Sequence, residues 1–293
     1  MFDNLMSDPP LTLTASSGDE LEMSIDGINY YNQLPLQLLL GLFEDIKLYD
    51  VTTMDGRNFY TGGLREEMPA VPNEYYLSFE LWFRTTRKEE GIYLINNVSK
   101  EMNFDDQMNG TYVVSKGVTW TAKHGFFNGP TLDDWVERGT TNIYYADQAI
   151  RIGTEELIDQ TNIKDTRNSD ELKVFIYDPS ENEYRGYGTT YGAFSYFMQA
   201  SNAWIYIPIA KPDTSYRLSS TDPFDPYRAT DNESLVAILQ QSEHVDDNEN
   251  MYYQAKIRVN IWVEGWDADA FDALDQDLVK IQLQFRALNL AQD

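Results

Sequence analysis

Two runs near the end of the chain alternate apolar and polar residues without a break. From Ile257 to Val263, Ile257, Val259, Ile261 and Val263 lie on one face, and Arg258, Asn260 and Trp262 on the other. From Val279 to Phe285, Val279, Ile281, Leu283 and Phe285 oppose Lys280, Gln282 and Gln284. Period-two alternation of this regularity predicts two half-buried strands and excludes an amphipathic helix in either place. Between them, Gly265 allows a sharp exit. Asp267 is placed to cap a short helical turn beginning at Ala268, with Phe271 and Leu274 on its inner face.

Upstream, Tyr75–Arg84 repeats the pattern, with Tyr75, Leu77, Phe79, Leu81 and Phe83 on one face and Ser78, Glu80, Trp82 and Arg84 on the other. Thr85–Gly91 then reads as a loop and Ile92–Val98 as the return strand. Residues Met1–Pro10 are polar and closed by Pro9 and Pro10, which predicts an arm. Leu11–Ala15 and Leu21–Ile25, separated by Ser16–Asp19, predict a first hairpin. Leu34–Leu42 fits a short buried helix after Pro35 or a buried strand, and Tyr60–Asn73 fits a loop. Further strands are expected at Tyr112–Val114 and Val118–Trp120 around Lys116-Gly117, at Ile143–Ile152, at Leu172–Tyr177 with Leu172, Val174 and Ile176 inward, and at Trp204–Ile209. Thr131 is placed to cap one or two helical turns up to Arg138, and Ser234–Gln241 fits a short helix. Asp159–Asp170 reads as an exposed polar stretch.

These readings total ten to fourteen strands with two or three short helices, spaced by Gly and Pro turns. The expected fold is mainly β, an antiparallel β-sandwich or jelly roll. Residues 1–73 are expected to form an arm and hairpin portion packing on a main sandwich domain of residues 74–293.

Charge narrows the partners. Acidic residues number 48 against 22 basic, a net charge of −26. A field of that sign repels phosphate backbones and anionic lipid, so neither nucleic acid nor membrane is expected as a direct partner. Cysteine is absent, which removes disulfides, thiolate metal sites and cysteine nucleophiles. Met1–Pro10 lacks a basic segment followed by an apolar one, so export by a signal peptide is not expected.

The chemistry-bearing patterns are few. Asp267, Asp269 and Asp272, followed by Asp275 and Asp277, place carboxylates at short intervals and make a calcium candidate. The sixth position, where an EF-hand loop has glycine, is Asp272, and capping plus solvation of a helical turn explains the same residues. His124 and His244 are the two histidines, without zinc-site spacing. No Gly-x-Ser-x-Gly, P-loop or Gly-x-Gly-x-x-Gly occurs. Two carboxylates suffice for a glycosidase, so an abundance of them does not discriminate that class. Among the six tryptophans, Trp82 and Trp262 lie on polar-patterned faces, and Trp266 lies just beyond. These three are candidates for a glycan-stacking platform or a subunit contact, unless another layer covers them.

Tyr76–Leu94, reading YLSFELWFRTTRKEEGIYL, resembles the strand pair of laminin-G-type jelly rolls, which implies a sandwich. The C-terminal IWVEGWDADAFDAL, together with SFELWFRTT, resembles uncharacterised β-rich structural proteins of low-GC Gram-positive bacteria and their phages. That resemblance implies a non-enzymatic structural protein of a virion, such as a capsid, head-decorating or tail component. Its partners would be copies of itself and other virion proteins, and it would assemble in the host cytoplasm. The alternative expectation is a carbohydrate-binding jelly-roll module, with or without calcium.

Overall fold

The computed structural model describes residues 4–15, 20–43, 47–61, 68–88, 90–202 and 211–291. The first strands are β1 (Asn4–Ala15), β2 (Glu22–Ser24), β3 (Lys47–Leu48), β4 (Asp50–Thr53), β5 (Phe59–Thr61), β6 (Met68–Pro69), β7 (Leu77–Thr85) and β8 (Gly91–Leu94). Next come β9 (Tyr112–Ser115), β10 (Val118–Thr121), β11 (Phe126–Phe127), β12 (Trp135–Val136), β13 (Thr141–Tyr144), β14 (Ile150–Leu157) and β15 (Val174–Tyr177). The last are β16 (Leu235–Ile238), β17 (Gln240–Val245), β18 (Met251–Glu264) and β19 (Leu278–Leu288). Helices are α1 (Leu36–Phe43) and α2 (Ala193–Ser201).

The two alternating C-terminal strands are the axes of two different sheets. β18 pairs antiparallel with β7 on one side and β14 on the other, inside a nine-stranded sheet. β4 continues the β7 side and β17 the β14 side. β19 is the axis of a six-stranded sheet, parallel to β1 on one side and antiparallel to β9 and β8, end to end, on the other. The apolar faces of the two axes look at each other. Ile257, Val259, Ile261 and Val263 meet Val279, Ile281, Leu283 and Phe285 in one core, every one of them 0% exposed. Phe83 of β7 meets Phe285 edge-on at 5.1 Å and ties the sheets together. Each large side chain buried in this way contributes about 1.5–3 kcal/mol. The fold is a mainly β, sandwich-like arrangement of mixed sheets with two helices.

Several expectations change. The Asn4–Pro10 part of the arm runs as the first half of β1, hydrogen-bonded along β19. Its register breaks between Met6 and Leu11, where Pro9 and Pro10 have no N–H to donate. Leu11–Ala15 and Glu22–Ser24 do not pair as a hairpin, because β1 joins the β19 sheet and β2 joins β7 in the other. Residues 1–73 therefore supply strands to both sheets and do not pack on them from outside. β7 and β8 likewise separate into opposite sheets. In β15 the core-facing residues are Phe175 and Tyr177, while Val174 is exposed and Ile176 faces the outer side. Ser234–Gln241 is extended, since β16 closes the open edge of β8. The apolar run Leu-Val-Ala-Ile suits helix or strand alike, and the unpaired edge decides. Leu34–Leu42 resolves as α1, with Leu39 buried in the core. Within 159–170, Asp159 and Asn162 are buried. Ser16–Asp19 and Trp204–Ile209 lie outside the described residues.

Candidate functional site

At one end of the sandwich the acidic loop after β18 meets the exit of β15 and the start of β14. Arg151, on the outer face of β14, is 2% exposed. Its Nη2 donates to Asp267, and lies 2.8 Å from Asp178 Oδ2, while Nη1 donates to the Ile150 carbonyl at 2.9 Å. Asp267 also accepts the Asp269 N–H at 2.8 Å. Glu264, 1% exposed, accepts the Trp262 indole N–H at 3.1 Å and the Trp266 N–H at 3.2 Å. One guanidinium thus faces three buried carboxylates: Asp178, Glu264 and Asp267. A single cation cannot neutralise three anions in a low-dielectric interior. Burial raises Glu264 to about 7 and Asp267 to about 8, against the pull of Arg151, and raises Asp178 as well. The cluster therefore carries protons at neutral pH.

Asp269 belongs to a second pair. Arg185 grips it through Nε at 2.7 Å and Nη2 at 2.6 Å, and reaches the Asn128 carbonyl at 2.6 Å. Asp272 stands apart, exposed, at the start of a 3-10 turn over Asp272–Leu274. The expected helix capped by Asp267 is absent because Arg151 draws that carboxylate inward. The calcium candidate is corrected in the same terms. Asp267 and Asp269 face arginines in place of an open cage of oxygens, and Asp272 does not join them. Among the described residues, no group of three or more histidine, aspartate and glutamate side chains is arranged to hold a metal ion.

The three tryptophans are also separated. Trp262 is 0% exposed. Its ring meets Phe59 edge-on at 5.1 Å, within an outer-face cluster that includes Val51, Tyr76 and Ile176. A Cβ at Gly153 would come within 3.0 Å of that ring, so the neighbouring strand needs a glycine there. Trp82 is half-buried, with Lys256 Nζ 4.2 Å above its ring. Around it runs a lattice of ion pairs: Glu80 with Lys256 (2.6 Å) and Arg258 (3.1 Å), and Arg84 with Glu22 (2.6 Å). Trp266 lies in the acidic loop, its carbonyl accepting the Gly188 N–H at 2.8 Å. No stacking platform results from these three.

The surface feature that sequence reading missed is a lobe. β10 pairs with β13 and β11 with β12, forming two short ribbons outside both sheets. Their inner side packs Trp120, Phe126 and Tyr144 against Phe271 of the acidic loop and Tyr196 of α2, with ring centroids 4.7–6.5 Å apart. The outer side leaves Leu132 84%, Ile143 54%, Tyr145 42% and Trp135 38% exposed. No family model, curated protein or solved structure matches this chain.

Proposed function

We propose that the chain is a non-enzymatic structural protein that works through contacts with copies of itself, as a bacteriophage virion component of the kind its C-terminal unit resembles. The lobe carries this reading. It presents four large apolar side chains outward from a packed aromatic base, the arrangement of a contact surface. It is also nearly uncharged. Residues 118–145 hold two basic side chains, Lys123 and Arg138, against three acidic, Asp133, Asp134 and Glu137, a net of −1, while the whole chain carries −26. The lobe therefore adds little to the charge repulsion between two copies. The buried Arg151 cluster supports the non-enzymatic part of the reading. Its carboxylates are almost fully buried, and the cleft of about 330 Å³ beside it is lined by Arg185 and Asp269 but not by Arg151.

Replacing both Leu132 and Ile143 by glutamate tests the proposal. Self-association measured by sedimentation is expected to weaken by about tenfold or more, since a desolvated apolar anchor contributes on the order of 1–2 kcal/mol. The melting temperature should stay unchanged, as both side chains point to solvent. Undiminished association of the variant counts against the lobe as the contact.

A further inference from the structure

The ribbon of β10 and β13 presents an outer strand edge with no described neighbour. The Ala122 N–H donates to the Thr140 carbonyl at 2.8 Å, which sets the phase of the ladder. Thr140, Asn142 and Tyr144 therefore face β10 with their backbone groups, while Thr141 and Ile143 turn theirs outward. Those outward N–H and carbonyl groups meet no described donor or acceptor. Other outer edges are guarded. Tyr31 exchanges backbone bonds with Met23 along β2, and Ser215 bonds to Ile176 and Asp178 along β15. On β17, Asn162 donates to the Gln241 carbonyl and Lys164 to the Ser242 carbonyl. Natural edges are usually protected by such cover, by a lysine or by a proline, because an open edge pairs with any strand that meets it. β13 has none of these. Residues 139–145, Gly-Thr-Thr-Asn-Ile-Tyr-Tyr, carry no charge and no proline, and most of them favour extended pairing.

A cleft of about 330 Å³ borders the same stretch, from Asn142 to Tyr145, and leaves space for an added backbone. The charges lining it, Arg185 and Asp269, already pair with each other at 2.6 Å. An incoming strand therefore finds no unbalanced charge to answer, and an uncharged strand fits best. Residues 139–145 of a second copy meet that condition. The opposite edge of the ribbon does not, since Lys116 and Lys123 bracket β10 and a symmetric pair there would bring lysines together. Energetics favour the same occupant. A two-stranded ribbon is marginal by itself, and joining two of them makes a four-stranded sheet. We infer that β13 pairs antiparallel with β13 of a second copy about a two-fold axis at Asn142, an inference that rests on self-association through the lobe. Ile143 of each copy then exchanges its N–H and carbonyl bonds with Thr141 of the other. The two Asn142 residues face each other across the axis, where Cα atoms approach to about 4.5 Å.

Single cysteines in this cysteine-free chain test the pairing. Asn142→Cys places two thiols within disulfide reach on the axis, and mild oxidation should yield a covalent dimer on a non-reducing gel. Thr119→Cys, also exposed, lies on β10, three strand spacings or about 14 Å from its counterpart, and should not cross-link. Thr141→Pro removes an outward N–H and none that bonds to β10. Self-association by sedimentation should then weaken about tenfold or more, with the melting temperature unchanged. Association without a cross-link at Asn142, or equal cross-linking at both positions, overturns the β13 pairing and leaves the lobe as a contact of another kind. Undiminished association of the Thr141→Pro protein does the same. A chain that stays monomeric overturns both the pairing and the self-association beneath it.

Discussion

Replacing Arg151 by methionine is expected to destabilise the protein by about 3–5 kcal/mol, the range for removing one partner of a buried ion pair. Methionine fills much of the same space, so the loss is electrostatic. Asp178, Glu264 and Asp267 would face one another without a cation, and the acidic loop would lose its attachment to β14. The companion change, Asp267→Asn, acts in the opposite direction above neutral pH. It keeps the acceptor for the Asp269 N–H and removes one excess charge. The pH dependence gives the sign. Burial raises Glu264 to about 7 and Asp267 to about 8 in the folded protein, from ordinary values of 4.5 and 3.8. The folded state then holds protons that the unfolded chain releases. Stability from these groups is full below about pH 4 and is lost as pH rises toward about 8, at up to about 1.4 kcal/mol per pH unit for each proton. Other carboxylates act at the acid side. Hydrogen bonds to Asn58 and Thr53 lower Asp55, and Lys256 and Arg258 lower Glu80, both against their desolvation. Their stabilisation is present above about pH 4 and is lost as pH falls further. Denaturant unfolding from pH 4 to pH 9 should therefore show maximal stability on the acid side of neutral. The Asp267→Asn protein should have a shallower decline toward pH 8. A parent protein equally stable at pH 5 and pH 8 contradicts a proton-holding cluster.

Trp262→Ala is expected to cost about 3–5 kcal/mol, because the whole indole is enclosed and its N–H satisfies Glu264. Trp82→Ala should cost less, about 1 kcal/mol, as the residue is only partly buried and Lys256 lies over its ring. Unfolding curves of the two variants check the ranking. Equal losses would place both tryptophans in the same environment, contrary to the structure.

Those two tryptophans show how far the sequence can be read. Both fall at polar-patterned positions, and alternation correctly assigns each to the outer side of its strand. What covers the outer side is a matter of distant chain. Phe59 and Tyr76 lie 203 and 186 residues from Trp262, and no local pattern announces them. The same limit applies to sheet membership. The alternation of β18 and β19 encodes one buried face apiece, but not that each strand is the axis of a separate sheet. The helix α2 has little local signature, because Gly192 precedes it at φ 65 with no side-chain cap. Asp267 and Asp269 are legible as an acidic loop. Their partners Arg151 and Arg185 stand 116 and 84 residues away, so spacing alone offers capping, solvation or an oxygen cage and does not reveal the ion pairs. The lobe is partly legible, since Val118–Trp120 and Ile143–Ile152 read as strands. Their pairing across Thr131–Arg138 emerges only once β9 is committed to β19.

Self-association is the central claim, and the mass of the intact protein in solution tests it most directly. Light scattering should be recorded over a range of concentrations, at low salt and again at about 0.5 M, where the Debye length falls to a few ångströms. Net charge opposes association, so the mass should rise above the 33.9 kDa of one chain as concentration increases, and rise further at the higher salt. A mass fixed at that of one chain under every condition would contradict assembly through contacts between copies.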